Sequence, residues 1–287
     1  MSRDVRIIPR ERRDRLGEGP YWHADEGALY WVDILGNRVN RLTLADERVD
    51  EWTLPEMVGW VIARRDAPGF LAGMRSGVKA VRFDPLSVEP FAELPGHPAP
   101  NRMNDAKADA QGRIWAGTMP VACDEPTGAL HRVDPDGTVA VADAPYTIAN
   151  GPAIDPDGRF LLHTDTKLRT VFRFALHDDG TLGPREPWLE FEPGWGNPDG
   201  MAFDAEGGLW VAHWGGSRVT RFDRQAKPER HVALPASQIT SMAFAGDALD
   251  RMFVTSAADG VSEEHGGALF EVDPGVRGLA PHRFGKG

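Results

Sequence analysis

The sequence has a single cysteine, Cys123, among its 287 residues, so no disulfide can form within the chain. This scarcity excludes the disulfide-stapled scaffolds of small secreted proteins and predicts a reducing compartment, the cytoplasm. No apolar run approaches the roughly eighteen residues that a membrane-spanning helix needs. Residues 1–17 are charged and lack the apolar stretch of a signal peptide, so no membrane association is expected.

Positive charge is also scarce, because 32 Lys and Arg stand against 43 Asp and Glu and give a formal net charge of -11. Nucleic acids and anionic membrane surfaces are bound through basic patches, so neither is an expected partner. The sequence also has no Gly-x-Ser-x-Gly elbow, no phosphate-binding P-loop and no His-Glu-x-x-His helix. We expect a protein that handles a cation or a neutral small molecule, as a monomer or a weak homo-oligomer.

Glycine and proline are abundant, with 32 and 23 residues, which favours many turns over long helices. Gly-containing turns, each followed by a short apolar strand, begin near residues 25, 66, 109, 155, 204 and 246. A period of roughly 40 to 50 residues with several strands in each unit is typical of β-propeller blades. The repeat therefore predicts an all-β fold, a six-bladed β-propeller that takes up residues 1–287 as one domain.

The alternative fold is a β-sandwich or a pair of smaller β domains, and the even spacing of the turns argues against both. Trp31, Trp115 and Trp210 occupy equivalent strand positions in three of the units, which predicts that they belong to the core. The segment from Arg3 to Arg15 is either a flexible tail or part of an outer strand that closes the ring, and the sequence does not decide between these.

Four polar residues come just ahead of the first apolar strand of a unit: Glu18, Asn104, Asn150 and Asp199. The first strand of each propeller blade lines the central channel, so side chains in the loops that enter these strands should surround one channel mouth. Asn and Asp are common turn residues and often cap their own backbone. Glu has no such preference, and a buried carboxylate is costly without a cation or strong donors. The common position of the four residues therefore favours a metal site.

Oxygen ligands favour Ca²⁺, Mg²⁺ or Mn²⁺ over a structural Zn²⁺ site, which prefers Cys and His. Two carboxylates and one amide could still hold Zn²⁺ or Fe²⁺ in an open catalytic geometry. The sequence thus predicts one divalent metal ion without fixing its identity.

Several segments carry a resemblance to a known family: Leu16–Trp22, Tyr30–Ile34, Asn101–Asp105, Gly112–Met119, Asn150–Gly151, Pro198–Met201 and Gly278–Pro281. In this order they resemble the regucalcin/gluconolactonase family, the sugar lactonases of the senescence-marker-protein type. The resemblance covers essentially the whole chain. It implies a six-bladed propeller that hydrolyses a sugar lactone, an aldonolactone, to the aldonic acid with one divalent metal ion.

When the family's metal ligands are carried over position by position, the resemblance implies that they are Glu18, Asn150 and Asp199. Arg102 and Asn104 match the family's substrate-contacting Arg-x-Asn, with Asn104 also facing the metal. Asp199 is in addition the candidate general base, because lactone hydrolysis requires a group that accepts a proton from water.

One position departs from the family pattern. Animal members carry a Glu that contacts the sugar soon after the Gly-Thr-Met segment, and Ala122 stands at the aligned position here. Asp124 or Glu125 would replace it if the loop shifts by two or three residues. The departure leaves the identity of the sugar open, including its ring size.

Two other functions stay open. The first is an aryl-ester or phosphotriester hydrolase of the same propeller type, which should have an apolar pocket, whereas Arg102 and Asn104 favour a polyol. The second is a non-enzymatic, cation-binding propeller, which has little need of an arginine at the channel mouth.

Overall fold

The structure is a computed structural model that describes residues 5–286. Its strands form six four-stranded sheets, each of them antiparallel, and two 3-10 helices of three residues each are the only helices in this range. The inner strands of neighbouring sheets contact one another around a central channel. The predicted all-β, six-bladed propeller is confirmed. None of the described helices has the length and apolar character needed to span a bilayer.

The first twelve strands are β1 (Val5–Ile7), β2 (Gly17–His23), β3 (Ala28–Asp33), β4 (Arg38–Thr43), β5 (Val49–Thr53), β6 (Val58–Ala63), β7 (Phe70–Met74), β8 (Gly77–Phe83), β9 (Leu86–Ala92), β10 (Asn101–Ala108), β11 (Ile114–Pro120) and β12 (Gly128–Val133). The remaining strands are β13 (Val139–Tyr146), β14 (Ala149–Ile154), β15 (Phe160–Asp165), β16 (Thr170–Ala175), β17 (Glu186–Glu190), β18 (Asn197–Phe203), β19 (Leu209–Trp214), β20 (Arg218–Phe222), β21 (Pro228–Ala233), β22 (Ile239–Ala245), β23 (Arg251–Ser256) and β24 (Phe270–Val272). The 3-10 helices are η1 (Ala24–Glu26) and η2 (Thr166–Leu168).

Blades 1 to 5 each take four consecutive strands, beginning with β2, β6, β10, β14 and β18, which are the inner strands. The second strand of every blade follows one of the Gly-containing turns found in the sequence. These strands are buried and apolar because both faces are covered by adjacent blades. The outer strands β5, β9, β13, β17 and β21 are more exposed and more polar.

Blade 6 is built from both ends of the chain. Its strand order is β1-β24-β23-β22, and Val5 lies opposite Val272 in the antiparallel pair of β1 with β24. Residues 5–7 therefore form the outer strand that closes the ring, one of the two possibilities that the sequence left open. Arg3 lies outside the described residues.

The C-terminal segment 277–285 crosses the end of the channel at which the inner strands finish. The amide of Ala205 in blade 5 donates to Arg277 O at 2.9 Å, and Gly278 N donates to Leu249 O at 2.7 Å. Further along, Phe284 N donates to Ala63 O in blade 2 at 2.9 Å. This strap ties blades on opposite sides of the ring together and closes one end of the channel.

The three repeat-equivalent tryptophans are fully buried, as predicted, and each donates its indole N–H to a buried aspartate at 2.9 Å. In blade 5 the aspartate is Asp204, which also accepts from Arg221 Nε at 2.6 Å and from Gly208 N at 2.9 Å. The corresponding Asp-Trp-Arg sets are Asp14, Trp31 and Arg10, and Asp109, Trp115 and Arg113. Each set pairs a buried charge with donors inside the blade, as a low-dielectric site requires.

We expect Asp204→Ala to destabilise the fold by about 3–5 kcal/mol, because it leaves the Arg221 guanidinium and the Trp210 N–H without their buried acceptor. Urea unfolding measures the loss. The matched control is Glu206→Ala, since Glu206 contacts the same Arg221 at 3.2 Å from an exposed position and should cost at most about 1 kcal/mol. Equal losses in the two variants would contradict the role given to Asp204.

Candidate metal centre

A β-bulge interrupts the inner strand of every blade at the same level of the channel. The register against the second strand shifts after Glu18, Val58, Met103, Asn150, Pro198 and Ile239. A bulge bends a strand and changes the direction in which its side chains point. All the sequence-predicted site residues lie at or next to these bulges.

The four polar residues that were predicted in the loops entering the inner strands lie within the strands themselves. Glu18 and Asn150 are the last paired residues before their bulges, whereas Asn104 and Asp199 are the first residues inside theirs. Glu18 and Asn150 therefore stand one position earlier in the repeat than Asn104 and Asp199. The prediction that all four positions are equivalent is wrong. All four nevertheless lie at the same end of the channel, since Asn104 donates a hydrogen bond to Asn150 and the charge of Glu18 acts on Asp199.

Close backbone approach at this level requires glycine. A Cβ built on Gly59 in blade 2 would lie 2.5 Å from the carbonyl oxygen of Asn104 in blade 3. Real Cβ atoms do not approach a carbonyl so closely, so only glycine allows β6 to pass β10 at this distance. The glycine thus sets how near the third blade's site residues come to the second blade.

Asn104 and Asn150 are joined by hydrogen bonds across the boundary between blades 3 and 4. Asn104 Nδ2 donates to Asn150 Oδ1 and, at 2.7 Å, to the carbonyl of Ala149. Arg102 Nη1 donates to Asn104 Oδ1 at 2.6 Å and to Met103 O at 2.9 Å. One network therefore connects three of the predicted site residues: Arg102, Asn104 and Asn150.

The two carboxylates, Glu18 and Asp199, are each 4% exposed. Within residues 5–286, neither has a basic group within 4.0 Å, and Asp199 Oδ1 is buried without any hydrogen-bond partner. Burial, together with repulsion from Asp105, raises the pKa of Glu18 to about 8. Burial, followed by repulsion from Glu18 and Asp105, raises the pKa of Asp199 well above its ordinary value. Two carboxylates without ion-pair partners are costly in their charged forms in one buried site, and a cation that joins them would remove that cost.

Arg102 is 5% exposed and has no ion-pair partner within 4.0 Å among the described residues. Burial lowers the pKa of its guanidinium, while the negative charges of Glu18 and Asp199 act in the opposite direction. In the described part of the chain only Nη1 makes hydrogen bonds, which leaves the Nε and Nη2 donors available to a ligand. A guanidinium is a strong donor to carbonyl and hydroxyl oxygens.

A third buried carboxylate, Asp105, lies close enough to Glu18 and Asp199 to raise the pKa of both, and its Oδ2 has no hydrogen-bond partner among the described residues. Its Oδ1 accepts from Ala106 N at 2.7 Å and lies 3.7 Å from Lys107 Nζ. Across the described range, no three His, Cys, Asp or Glu side chains form a group that could hold a metal ion. Glu18 and Asp199 would therefore need the Asn150 amide as their third ligand, which is the predicted set.

The loop between β11 and β12 carries Ala122 and the two acidic residues that follow it. Asp124 and Glu125 are exposed, and the side chains of both make no hydrogen bond to the described residues. Cys123 is half-buried; burial raises the pKa of its thiol, and the positive charge of Arg102 lowers it. The replacement of the missing family glutamate by Asp124 or Glu125 stays a prediction.

A cavity of about 280 Å³ occupies the other half of the channel. It is lined by mainly apolar residues on the far side of the bulges, such as Trp60, Met201 and Phe244, and by the strap residue Leu279. None of the five predicted site residues lines it. The cavity therefore lies between the candidate metal centre and the strap, and it is distinct from the polar site.

Sequence reasoning missed two contributors to this centre. Thr166 links the Asn150 amide to the Pro198 carbonyl, and Asp165 accepts the amide of Thr147 at 2.9 Å, just ahead of Asn150. The sequence does not indicate a role for Asp165 and Thr166 at the end of β15, because the residues that they bind lie in other strands and loops.

Fold and site together define a class, a six-bladed propeller with an oxygen-rich, buried charged site at one end of its channel. Residues 16–258 match the family described as SMP-30/Gluconolactonase/LRE-like region. The chain belongs to this family, as the sequence motifs indicated.

Among curated proteins, the chain is similar to the 6-deoxy-6-sulfogluconolactonase of Pseudomonas putida, with 35% identity over 276 residues and 94% of each protein covered. It is equally similar to the pentonolactonase XacC of Haloferax volcanii, with 35% identity over 280 residues and 94% of each covered. Among solved structures, a calcium-binding regucalcin from Agrobacterium tumefaciens superposes with a TM-score of 0.91. That likeness covers 98% of this chain and 97% of the other at 28% identity.

Proposed function

We propose that this protein is a sugar lactonase that hydrolyses an aldonolactone to the aldonic acid at a site holding one divalent metal ion. The observation that carries the proposal is the group of buried, uncompensated charges at one channel mouth, Glu18, Asp199 and Arg102. Burial makes charges without ion-pair partners costly, which favours the binding of a ligand that supplies such partners. The names of the similar lactonases support a sugar lactone as the substrate.

The residues that would hold the metal ion are Glu18, Asn150 and Asp199. Their donor atoms are all oxygens, and among these three residues Asp199 provides a buried carboxylate oxygen, Oδ1, without a hydrogen-bond partner in the described chain. This set fits Ca²⁺, Mg²⁺ or Mn²⁺ best and is compatible with Zn²⁺ or Fe²⁺. When bound, such an ion supplies Lewis-acid polarisation of the ester carbonyl. The similarity to a calcium-binding regucalcin supports a divalent ion and does not choose among these.

Asp199 is the proposed general base. It takes a proton from the water that attacks the lactone carbonyl carbon and returns it to the ring oxygen as the carbon–oxygen bond of the ring breaks. The products are one carboxyl group and one hydroxyl group on the opened chain, so water is the only co-reactant. Asp199 is 4% exposed, so bulk water has little access to it.

Arg102 and Asn104 are the proposed substrate-binding residues. The free Nε and Nη2 donors of Arg102 can bind the carbonyl or the hydroxyl oxygens of the sugar. The hydrogen bond from Arg102 Nη1 to Asn104 Oδ1 holds both side chains in fixed positions before the substrate arrives. Preorganised donors of this kind stabilise the oxyanion that develops during ester hydrolysis.

The loop around Ala122 is the proposed determinant of which sugar is accepted. Because Asp124 and Glu125 both extend into solvent, the site lacks an acidic contact to the sugar on this side. A substrate whose distal end is small is compatible with that environment. We further propose that the protein acts in the cytoplasm, as a monomer or a weak homo-oligomer.

A pH-indicator assay over pentono- and hexonolactones tests the function. We expect acid release from at least one aldonolactone, well above the rate of spontaneous hydrolysis. Aryl esters and phosphotriesters serve as comparison substrates in the same assay. Turnover of these alone would replace the sugar-lactonase proposal with the other hydrolase, and metal binding without turnover of any ester would favour a cation-binding role.

A further inference from the structure

Thr166 lies between two neighbouring blades, directly after strand β15, and is 8% exposed. Its hydroxyl accepts a hydrogen bond from Asn150 Nδ2 at 2.8 Å and donates one to Pro198 O at 2.7 Å. Asn150 belongs to blade 4, and Pro198 directly precedes Asp199 in blade 5. One hydroxyl group therefore connects two of the proposed metal ligands.

The direction of these hydrogen bonds fixes the Asn150 amide. A hydroxyl has a single proton, and Thr166 uses it on the Pro198 carbonyl, so Thr166 can only accept from Asn150. The Asn150 nitrogen must therefore lie on the Thr166 side and Oδ1 on the opposite side, where Asn104 Nδ2 donates to it. Flipping the amide would place two NH₂ groups against each other and leave the Thr166 oxygen facing a carbonyl oxygen.

The backbone holds Thr166 in place for this role. Asp165 caps η2 by accepting from Lys167 N at 3.0 Å and also accepts from Thr147 N at 2.9 Å. The segment carrying Thr166 is thus anchored to the same chain segment that leads into Asn150.

A similar contact precedes the other carboxylate. Thr240 in blade 6 donates from Oγ1 to the carbonyl of Gly17 at 2.6 Å, and Gly17 directly precedes Glu18 in blade 1. In both places, a buried threonine of one blade binds the peptide ahead of a carboxylate in the next blade. Of these two threonines, only Thr166 also binds the side chain of a proposed metal ligand.

We propose that Thr166 is the positioning residue of the metal centre, which presents Asn150 Oδ1 to the ion and fixes the distance between Asn150 and the Asp199 strand. This inference rests on the proposed metal site. Removing an outer partner of a metal ligand typically lowers metal affinity by about 10- to 100-fold.

The test compares the metal-free forms of wild type, Thr166→Val and Thr166→Ser by calorimetric titration with Ca²⁺ and Mn²⁺. Valine keeps the shape and removes the hydroxyl, so we expect the dissociation constant to rise by about 10- to 100-fold. Serine restores the hydroxyl and should restore the affinity. The matched control is Thr164→Val in β15, the strand that directly precedes Thr166, because the Thr164 hydroxyl only approaches Met201 Sδ at 3.7 Å. This variant should bind metal as wild type does.

Thermal melting of the metal-free variants checks folding, and Thr166→Ala takes the place of the valine variant if that one does not fold. Unchanged affinity in Thr166→Val, or a loss in Thr166→Ser equal to that in Thr166→Val, would overturn the positioning role. Absence of metal binding by the wild type would overturn the proposed metal site itself, so the two failures are distinguishable.

Discussion

Asp199→Ala is expected to abolish lactone hydrolysis and to weaken metal binding in the same protein. The substitution removes a proposed ligand and the proposed general base, and loss of a general base alone lowers the rate by about 10²- to 10⁴-fold. It also removes a buried charge whose Oδ1 has no partner within the described chain, so the fold itself should tolerate the change. Initial rates and calorimetric metal titration measure the two effects.

Two further variants separate the roles of Asp199. Asp199→Asn retains an oxygen and cannot accept a proton in the same way, so it should lose turnover and keep more metal affinity than the alanine variant. Asp155→Asn is the control, because Asp155 is a buried carboxylate that follows β14 at the other end of the channel, where it pairs with Arg159 at 3.2 Å. Full activity in Asp199→Ala would remove Asp199 from the mechanism.

Arg102→Ala is expected to impair use of the substrate while the metal ion is retained. A hydrogen bond to a charged group contributes about 1.5–3 kcal/mol, which corresponds to a loss of roughly 10- to 150-fold in kcat/KM for each bond removed. Metal affinity should stay the same or increase, because the substitution removes a positive charge near two carboxylates. Steady-state kinetics and metal titration give the two quantities.

Arg102→Lys is the matched variant, since it keeps the charge and loses the planar set of donors. We expect its kcat/KM to lie between those of wild type and Arg102→Ala. Loss of the metal ion from Arg102→Ala would show instead that Arg102 supports the metal centre through Asn104, whose Oδ1 it binds at 2.6 Å.

The blades were predictable from the sequence because a local sequence pattern precedes the second strand of each blade. A Gly-containing turn precedes the buried second strand in all six units. Turn chemistry and strand alternation act over a few residues, so they are visible without knowledge of the fold. The buried positions of Trp31, Trp115 and Trp210 follow from the same periodicity.

The sequence indicated that the candidate site residues share one end of the channel, whereas their exact placement was not predictable. Glu18 and Asn150 precede their bulges and Asn104 and Asp199 lie inside theirs, a difference of one residue that the sequence does not reveal. A bulge is decided by how two strands pair, and the same dipeptides, such as Gly-Pro or Asp-Gly, also occur in ordinary turns.

Features that depend on contacts between distant segments could not be predicted. β1 closes blade 6 by pairing with β24 near the other end of the chain, and segment 277–285 crosses the channel to reach blade 2. The role of Thr166 likewise depends on the contact between blades 4 and 5. None of these pairings leaves a periodic or local signal.

Metal dependence of lactone hydrolysis is the most direct test of the proposed site. Protein stripped of metal by chelation is titrated with Ca²⁺, Mg²⁺, Mn²⁺, Zn²⁺ or Fe²⁺, and acid release and bound metal are measured on the same samples. We predict that activity is absent without metal and rises in proportion to occupancy up to one ion per chain. Full activity in the metal-free protein, or an ion that binds without affecting hydrolysis, would contradict a catalytic metal centre at Glu18, Asn150 and Asp199.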